Sequence, residues 1–337
     1  MNAPSRTDQR ESVHPSDRLR QGVDIGVLIA EIAAFYQLGS VVSYSEITVG
    51  YEDCNVIIET TTGKYVTKLF ARSRTKDEVD RYVLIMQKTE AAGVRHASLL
   101  RGRDGKYVFC SNGTFATTCK FISGKTFYEL DRAPNHQELQ DILVQITKMN
   151  AVDCRPSYVA GQWAVPNIRT LFEQTKRYIS HSDAELAEHC TRRYEAIDTS
   201  VLPHGFVHGD LRKTNILLGD DGKVYILDFF LTNWLPRVQE LAVIAASLLH
   251  EPTRTTPLEE ICAQLASMYG ELTESEMVCL PDYVRAAITM EFLGGFYEKH
   301  VKHIDNEEND YWLRAGAEAW AVYIRPTSAS VCPAGPA

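Results

Sequence analysis

The sequence predicts an α+β protein of two lobes, in which a small antiparallel sheet precedes a larger and mainly helical part. Three observations support this fold class. The chain has 337 residues, which is longer than a chain with a single small hydrophobic core. Residues 40–122 alternate short apolar runs with turn signals, which is typical of strands. Residues 125–325 show mainly helical spacing of their apolar positions. A linker between the two lobes is therefore expected near residues 120–124.

The expected domain limits follow from these changes in the pattern of apolar residues. The polar N-terminus lacks the apolar stretch of a signal peptide and is expected to be disordered, and the last residues are expected to form a loose tail. The limits are 1–22 for the disordered start, 23–122 for the first lobe, 123–325 for the second lobe and 326–337 for the tail.

The first lobe is predicted to hold two helices and several strands. Apolar residues at helical spacing predict a helix near the start, with Gly39 as its C-cap. A strand pair follows, with its turn at Thr61–Gly63, and then a helix over residues 75–92. Residues 99–110 predict a strand pair joined at Asp104–Gly105, and residues 114–122 predict a further strand.

Composition argues against several classes of protein. The net charge of -9, from 35 basic and 44 acidic residues, does not suit a nucleic-acid-binding surface. The eight cysteines form no CxxC pair or metal-spaced cluster, which indicates reduced thiols in a cytoplasmic protein. The longest apolar run, residues 241–249, is too short to cross a bilayer. The oligomeric state is left open.

The most informative pattern lies in a predicted hairpin of the second lobe. The chain reads "FVHGDLRKTNILL" and then "GDDGKVYILDF", and the turn falls at Gly219–Gly222. Folding the chain about residue 221 places Asn215 and Asp228 at the same open end. Amide and carboxylate oxygens are suitable ligands for Mg²⁺. Asp210 lies in the loop leading to this end and is able to accept a proton from a hydroxyl.

The alternative reading of these residues is local. Asp and Asn near turns usually form hydrogen bonds with their own backbone. The whole set in order, after a buried strand, favours the chemical reading.

A second charged residue stands out in the first lobe. Folding the first hairpin about residue 62 places Lys68 opposite Val56, on an apolar face. Such a lysine is costly to bury unless it pairs with an anion. The anion is either a nucleotide phosphate or a carboxylate of the helix over 75–92, with Glu78 preferred and Asp80 as the fallback. Alternatively, the ammonium group reaches solvent at the sheet edge.

Four segments together resemble the aminoglycoside phosphotransferase/choline kinase superfamily, the small-molecule branch of the protein-kinase-like fold. They are "HGDLRKTN", the following "VYILDF", the upstream "YVTKLF" and the intervening "CKFISGKTF". The resemblance covers about residues 40–325. The stretch "GYEDCNVIIETTTGKYVTKLF" is most similar to homoserine-kinase-like members.

The resemblance implies a two-lobed protein-kinase-like fold and Mg²⁺-dependent phosphoryl transfer from ATP or GTP. Asp210 is the implied base, Arg212 is implied to neutralise the transferred phosphoryl group, and Asn215 and Asp228 are the implied metal ligands. His208 is expected to shape the loop rather than act as a base.

The resemblance also implies a nucleotide-binding first lobe. Lys68 contacts the phosphates and pairs with the helix carboxylate, a glycine turn covers the phosphates, and the segment 119–122 binds the base through its backbone. The implied cofactor-binding residues are Lys68, Glu78, Gly50, Asn55, Phe121 and Ile122. Glu240 stands where the family often has an aspartate and is expected to take over its anchoring role.

The sequence says less about the molecule that accepts the phosphoryl group than about the nucleotide site. Only residues 229–238 separate Asp228 from a predicted helix, which leaves no room for the peptide platform of a protein kinase. We therefore expect a small hydroxyl-bearing substrate, such as a homoserine-like or choline-like amino alcohol. The alternatives are an aminoglycoside or other antibiotic and, more remotely, a non-catalytic nucleotide-binding pseudokinase. The acidic segment 303–312 is a candidate cation site or an ordinary helix start.

Overall fold

The computed structural model describes residues 15–19, 22–48, 50, 52–251 and 256–325. The described residues group into two compact units. The first unit takes its residues from Met1–Val79, Leu99–Phe121 and His303–Asp310, and the second from Asp80–Ser98, Ile122–Lys302 and Tyr311–Ala337. The limits of the lobes remain a prediction.

The first unit is built on a five-stranded antiparallel sheet. Its strands are β1 (Val41–Ile47), β2 (Cys54–Thr60), β3 (Gly63–Leu69), β4 (Phe109–Ser111) and β5 (Thr114–Lys120), in the spatial order β1-β2-β3-β5-β4. Helix α1 (Ile25–Phe35) buries Ile29 and Ile32 in one core with Val56 and Ile58 of β2. The alternating burial of β2 provides the apolar face for this helix.

Two turns of this sheet differ from the sequence prediction. Thr60 pairs with Gly63, so the β2–β3 turn has two residues and Lys68 lies opposite Asn55, not Val56. Turn length sets the register of a hairpin, and the predicted turn was one residue too long. The Asp104–Gly105 turn exists but joins no strand pair.

The observed hairpin between β4 and β5 turns at Asn112–Gly113 instead. Both residues have a positive φ, 49° and 73°. Asn-Gly is the dipeptide that tolerates this conformation best, and it was the better turn signal.

The ends of the first unit also correct the prediction. Helix α1 ends at Phe35, before Gly39, because Tyr36 caps it and Gln37 takes the left-handed conformation at φ 57°. Pro15–Arg18 form a 3-10 helix and Leu19 is buried, so the expected disorder does not apply there. Most of the remaining N-terminal segment and the expected tail, 326–337, lie outside the described residues.

Helices dominate the second unit. Helix α2 (Lys76–Ala91) contributes most of its length to it. The following helices are α3 (His136–Asn150), α4 (Ile168–Thr175), α5 (His181–Glu195), α6 (Val238–Val243, continued by a π-helix at Ile244–Leu248), α7 (Leu258–Tyr269), α8 (Glu274–His300) and α9 (Glu307–Tyr323). Helix α8 is buried on most of its surface and packs against α4, α5 and α6, which makes it the central helix of this unit.

Five short strands complete the second unit. They are β6 (Gly124–Thr126), β7 (His204–Val207), β8 (Ile216–Gly219), β9 (Val224–Ile226) and β10 (Asn233–Pro236). They form a β6-β8-β9 sheet and a β7–β10 pair. The sequence indicated β8 and β9 as a hairpin and a buried strand leading to Asp210, which is β7, but it did not indicate β6 or β10. Every helix in the described ranges is too short or too polar to span a membrane.

A buried carboxylate links α5 to the C-terminal end of α9. The Asp183 side chain accepts hydrogen bonds from Trp320 Nε1 at 2.8 Å and from Arg325 Nη2 at 2.7 Å. The Arg325 guanidinium, together with hydrogen bonds from Ser180 and Trp320, lowers the pKa of Asp183 to about 2. The ionised form is therefore the one that stabilises the fold.

We expect Asp183→Asn to cost about 2 kcal/mol of unfolding free energy at pH 7. Because the folded pKa lies below that of the unfolded chain, the stabilisation is complete above about pH 4 and disappears as the pH falls to about 2. Urea unfolding at pH 7 and pH 3 measures this. The exposed Glu185 of the same helix provides the control Glu185→Gln. A cost that does not shrink at pH 3 would contradict the ion pair.

Candidate functional site

The loop after strand β7 is held by the side chain of His208. His208 is fully buried; its Nε2 donates to Leu227 O at 2.9 Å and its Nδ1 accepts from the N–H of Asp210 at 3.2 Å. Burial lowers the pKa of His208 to about 4, so the ring is neutral at physiological pH. Both nitrogens are used to shape the loop, as the sequence predicts.

Glu240 on α6 binds the main chain of the same loop. Its carboxylate accepts from the N–H of His208 at 2.6 Å and from the N–H of Gly209 at 3.2 Å. Gly209 has a φ of 80°, a conformation that side chains rarely adopt. Burial raises the pKa of Glu240 to about 8, although the two main-chain donors lower it. The anchoring role expected for Glu240 agrees with these contacts.

Removing this anchor has a predictable cost. Glu240→Ala leaves two buried N–H groups without an acceptor, and we expect a loss of about 3 kcal/mol in unfolding free energy. Urea denaturation of the variant measures this loss. Glu260→Ala, at an exposed position of α7, serves as the control. A change equal to that of the control would show that the loop does not depend on Glu240.

Asp210 is held from two sides. Asn215 Nδ2 donates to Asp210 Oδ2 at 2.7 Å and to the Asp210 carbonyl at 2.9 Å. Arg212 Nε lies 2.7 Å from Asp210 Oδ1. The Asn215 amide is thereby oriented so that its Nδ2 faces Asp210 and its Oδ1 is the atom left for another ligand. The structure thus brings the predicted base, Asp210, together with Arg212 and Asn215.

Arg212 is buried among residues that are distant in the chain. Its Nε also lies 3.3 Å from Glu291 Oε1, and its guanidinium sits over the rings of Trp163 at 4.8 Å and Trp312 at 5.6 Å. Burial raises the pKa of Glu291, whereas Arg212 lowers it. Gly294 on α8 admits the Trp163 ring, because an added Cβ would overlap it. Sequence reasoning missed these partners, which are distant in the chain and follow no spacing rule.

The β8–β9 hairpin places Asn215 and Asp228 as predicted. Ile216 pairs with Ile226, and the N–H of Leu227 donates to Asn215 O at 2.9 Å. Asp228 has a left-handed backbone, with φ 56° and ψ 76°, and its carboxylate accepts from the N–H of Phe230 at 3.4 Å. The two side chains lie at the same open end of the hairpin.

This end suits a hard cation that takes few protein ligands. Asn215 Oδ1 and the Asp228 carboxylate are oxygen donors, the type that Mg²⁺ binds together with water and phosphate oxygens. No group of three or more His, Cys, Asp and Glu suited to a metal occurs in the described part of the chain. A site built on Asn215 and Asp228 would leave its remaining positions to water and phosphate oxygens.

In the first unit, Lys68 pairs with Asp53. Lys68 is 8% exposed, and its Nζ lies 3.4 Å from Asp53 Oδ2. Asp53 also accepts from the N–H of Ala71 at 3.0 Å and from Arg74 Nε at 3.3 Å. The predicted partner Glu78 instead caps α2, where it accepts from the N–H of Thr75 at 2.8 Å. Glu78 is committed to the helix terminus, so the buried carboxylate beside β2 pairs with the lysine.

The other predicted cofactor-binding residues are distributed along the chain. Gly50 has a φ of 113° and donates its N–H to Glu308 Oε2 at 2.9 Å. Asn55 is half-buried on β2, opposite Lys68. Phe121 donates its N–H to Lys64 O at 3.0 Å, so this group is already bonded within the first unit. Ile122 is half-buried in the second unit.

Comparison with solved structures defines the class of fold. The chain shares its fold with a spectinomycin phosphotransferase in complex with ADP and spectinomycin, at a TM-score of 0.64 and 14% identity, covering 89% of this chain and 95% of that one. It also matches a choline kinase from Streptococcus pneumoniae at a TM-score of 0.62 and 11% identity, covering 89% and 99%. The predicted protein-kinase-like α+β fold is thus confirmed.

Sequence comparison then gives the family. The model of the phosphotransferase enzyme family (APH) matches residues 43–274. The chain belongs to this family and is a small-molecule kinase. A homoserine kinase of Granulibacter bethesdensis is 23% identical over 75% of this chain and 80% of its own length. A homoserine kinase of Azorhizobium caulinodans is 27% identical over 60% of this chain and 63% of its own length.

Proposed function

We propose that this enzyme transfers the terminal phosphoryl group of Mg·ATP or Mg·GTP to the hydroxyl of a small amino alcohol. One observation carries the proposal. The Asp210 carboxylate follows a buried strand and is fixed between Asn215 Nδ2 and Arg212 Nε, each 2.7 Å away. A carboxylate oriented in this way can accept the proton of an attacking hydroxyl.

The other site residues have separate proposed roles. Asn215 and Asp228 hold the metal ion, which neutralises charge on the phosphate oxygens when bound. Lys68, which pairs with Asp53, contacts the nucleotide phosphates. Gly50, Asn55, Phe121 and Ile122 are proposed to lie near the nucleotide, as the resemblance implies. Arg212 orients Asp210 and supports the transferred group.

An amine-bearing acceptor is favoured by the surroundings of Asp210. Two further carboxylates are buried here: Glu291 pairs with Arg212, whose guanidinium sits over the Trp163 ring, and Glu298 accepts from Trp163 Nε1 at 3.2 Å. Carboxylates and aromatic faces recognise ammonium groups. The curated relatives named homoserine kinase support an amino alcohol of this kind.

The acidic segment 303–312 is the less favoured cation site. Asn306 caps the start of α9 by accepting from the N–H of Asn309 at 2.8 Å, so the segment serves as a helix start.

Antibiotic phosphorylation is the second candidate. The solved neighbours include an amicoumacin kinase in complex with AMP-PNP, Ca²⁺ and its antibiotic, at a TM-score of 0.64 and 12% identity, covering 90% of this chain and 96% of that one. That neighbour also supports a nucleotide donor. A non-catalytic pseudokinase is disfavoured, since Lys68, Asp210, Asn215 and Asp228 are all present.

A coupled assay with Mg·ATP and Mg·GTP over a panel of acceptors tests the proposal. The panel holds homoserine, choline, ethanolamine, amino sugars and aminoglycosides. Turnover with an amino alcohol is the expected result. Turnover with antibiotics alone, together with protection of a sensitive host, would support resistance instead. Nucleotide binding without transfer to any acceptor would support the pseudokinase. The expected cytoplasmic location stays a prediction.

A further inference from the structure

Arg81 of helix α2 is a buried cation that the mechanism above does not use. It is 6% exposed and makes four hydrogen bonds to oxygen atoms within the second unit. Its Nε donates to Ser157 O at 2.6 Å and its Nη1 to Phe230 O at 2.9 Å, while its Nη2 donates to Thr232 O and to Asn233 Oδ1, the latter at 3.1 Å. A buried arginine persists only when its donors are satisfied in this way.

Three of the four acceptors belong to the short segment that follows Asp228. Phe230 is held on both sides, since its N–H donates to Asp228 Oδ1 at 3.4 Å and its carbonyl accepts from Arg81. The ring of Tyr82, the residue after Arg81, stacks on Phe230 with centroids 6.4 Å apart. Arg81 therefore binds the carbonyl of the same residue, Phe230, whose N–H donates to the Asp228 carboxylate.

The far end of this segment is fixed by Asn233. Asn233 is 2% exposed; its Oδ1 accepts from the N–H of Val159 at 2.9 Å and its Nδ2 donates to Val159 O at 2.9 Å. It also pairs with Val207, the last residue of β7 before the catalytic loop. Arg81 thus binds a segment that is tied both to residues 157–159 and to the strand leading to Asp210.

Asp228 has a backbone conformation that is uncommon outside glycine. Aspartate and asparagine adopt a left-handed conformation, here φ 56°, more readily than other side chains, and contacts around the residue help to hold it. The bonds from Arg81 restrain the carbonyl groups of Phe230 and Thr232, two and four residues after Asp228. Losing them would let the Asp228 carboxylate move relative to Asn215, since the backbone can relax to a commoner conformation.

We propose that Arg81 is a positioning residue for Asp228 and sets the affinity of the metal site. The inference rests on the proposed function, in which Asp228 is a metal ligand. Arg81 contributes to the metal-dependent part of nucleotide binding, because it holds the segment that follows the metal ligand Asp228.

Calorimetric titration of the full-length protein with ATP, in Mg²⁺ and in EDTA, tests this inference. The dissociation constant in EDTA divided by the dissociation constant in Mg²⁺ measures the contribution of the metal. We expect Arg81→Gln to lower this ratio by about tenfold, the scale seen for residues that orient metal ligands, while the affinity in EDTA stays as in the wild type. Arg81→Lys should recover part of the ratio, since one donor can still reach the Phe230 or Thr232 carbonyl.

Two further variants make the outcome specific. Asp228→Ala defines complete loss of the metal contribution. Arg237→Gln removes a half-buried arginine that pairs with Glu276 at 2.9 Å, and it should lower thermal stability without changing the ratio. A similar loss of ratio in Arg237→Gln would show that Arg81 acts only through stability.

The remaining outcomes separate this inference from the proposed function. If Asp228→Ala collapses the ratio and Arg81→Gln does not, the inference about Arg81 is wrong and the metal role stands. If Asp228→Ala leaves the ratio unchanged, or if neither ATP nor GTP binds the wild type, both fall together.

Discussion

Asp210→Asn is expected to reduce kcat by about 10² to 10⁴-fold, because the amide cannot accept the proton of the attacking hydroxyl. The substitution removes the charge that Arg212 Nε contacts at 2.7 Å, but it keeps the shape of the side chain. Nucleotide affinity should therefore stay close to that of the wild type. Steady-state kinetics on the acceptor identified in the panel, with calorimetry for the nucleotide, measures both quantities.

The turn of the neighbouring hairpin offers a matched control for Asp210. Asp221 is an exposed carboxylate that accepts from Tyr225 Oη at 2.9 Å, away from the catalytic loop. Asp221→Asn should leave kcat unchanged. Near-wild-type turnover of Asp210→Asn would exclude Asp210 as the base, whatever its orientation.

Asp228→Ala is expected to weaken binding of the metal–nucleotide complex by at least about tenfold. The loss has one main cause, since alanine supplies no oxygen ligand opposite Asn215. Alanine also tolerates the left-handed backbone at φ 56° poorly. Asp228→Asn separates the two effects, because asparagine accepts this conformation and keeps one oxygen. Calorimetry with and without Mg²⁺ measures the affinity.

A turn residue again provides the control for Asp228. Asp220 is exposed and accepts a hydrogen bond from Ser123 Oγ at the closed end of the β8–β9 hairpin. Asp220→Ala should bind the nucleotide like the wild type. Equal affinity of Asp228→Ala and the wild type in Mg²⁺ would count against the metal role.

Local spacing made much of the site predictable. The register that brings Asn215 and Asp228 to one end follows from a short turn between two apolar runs, and hairpin geometry allows few alternatives. The anchoring by Glu240 was expected only from the resemblance to the family, because Glu240 lies 31 residues after Gly209 and no local spacing connects the two. The prediction failed for the first hairpin only by one turn residue, which moved Lys68 from Val56 to Asn55.

The partner of Lys68 shows where such reasoning stops. The sequence analysis considered Glu78 and Asp80 but not Asp53, because the partner of Lys68 depends on side-chain direction rather than on spacing. Glu78 is used by the start of α2, whereas Asp53 is buried beside the lysine. Only the packed sheet and helix terminus decide between two carboxylates of equal charge.

The sequence by itself indicated the fold class, through the periodicity of single elements and through turns, which neighbouring residues set. The family followed from the resemblance of its motifs, which also gives the order of the candidate site residues in the HxDxxxxN loop and the strand that ends in Asp228. The tertiary structure alone decided the buried environment: Glu291, Trp163 and Trp312 around Arg212, and Arg81 behind Asp228. These contacts join segments that are far apart in the chain, and only the packing of the second unit brings them together.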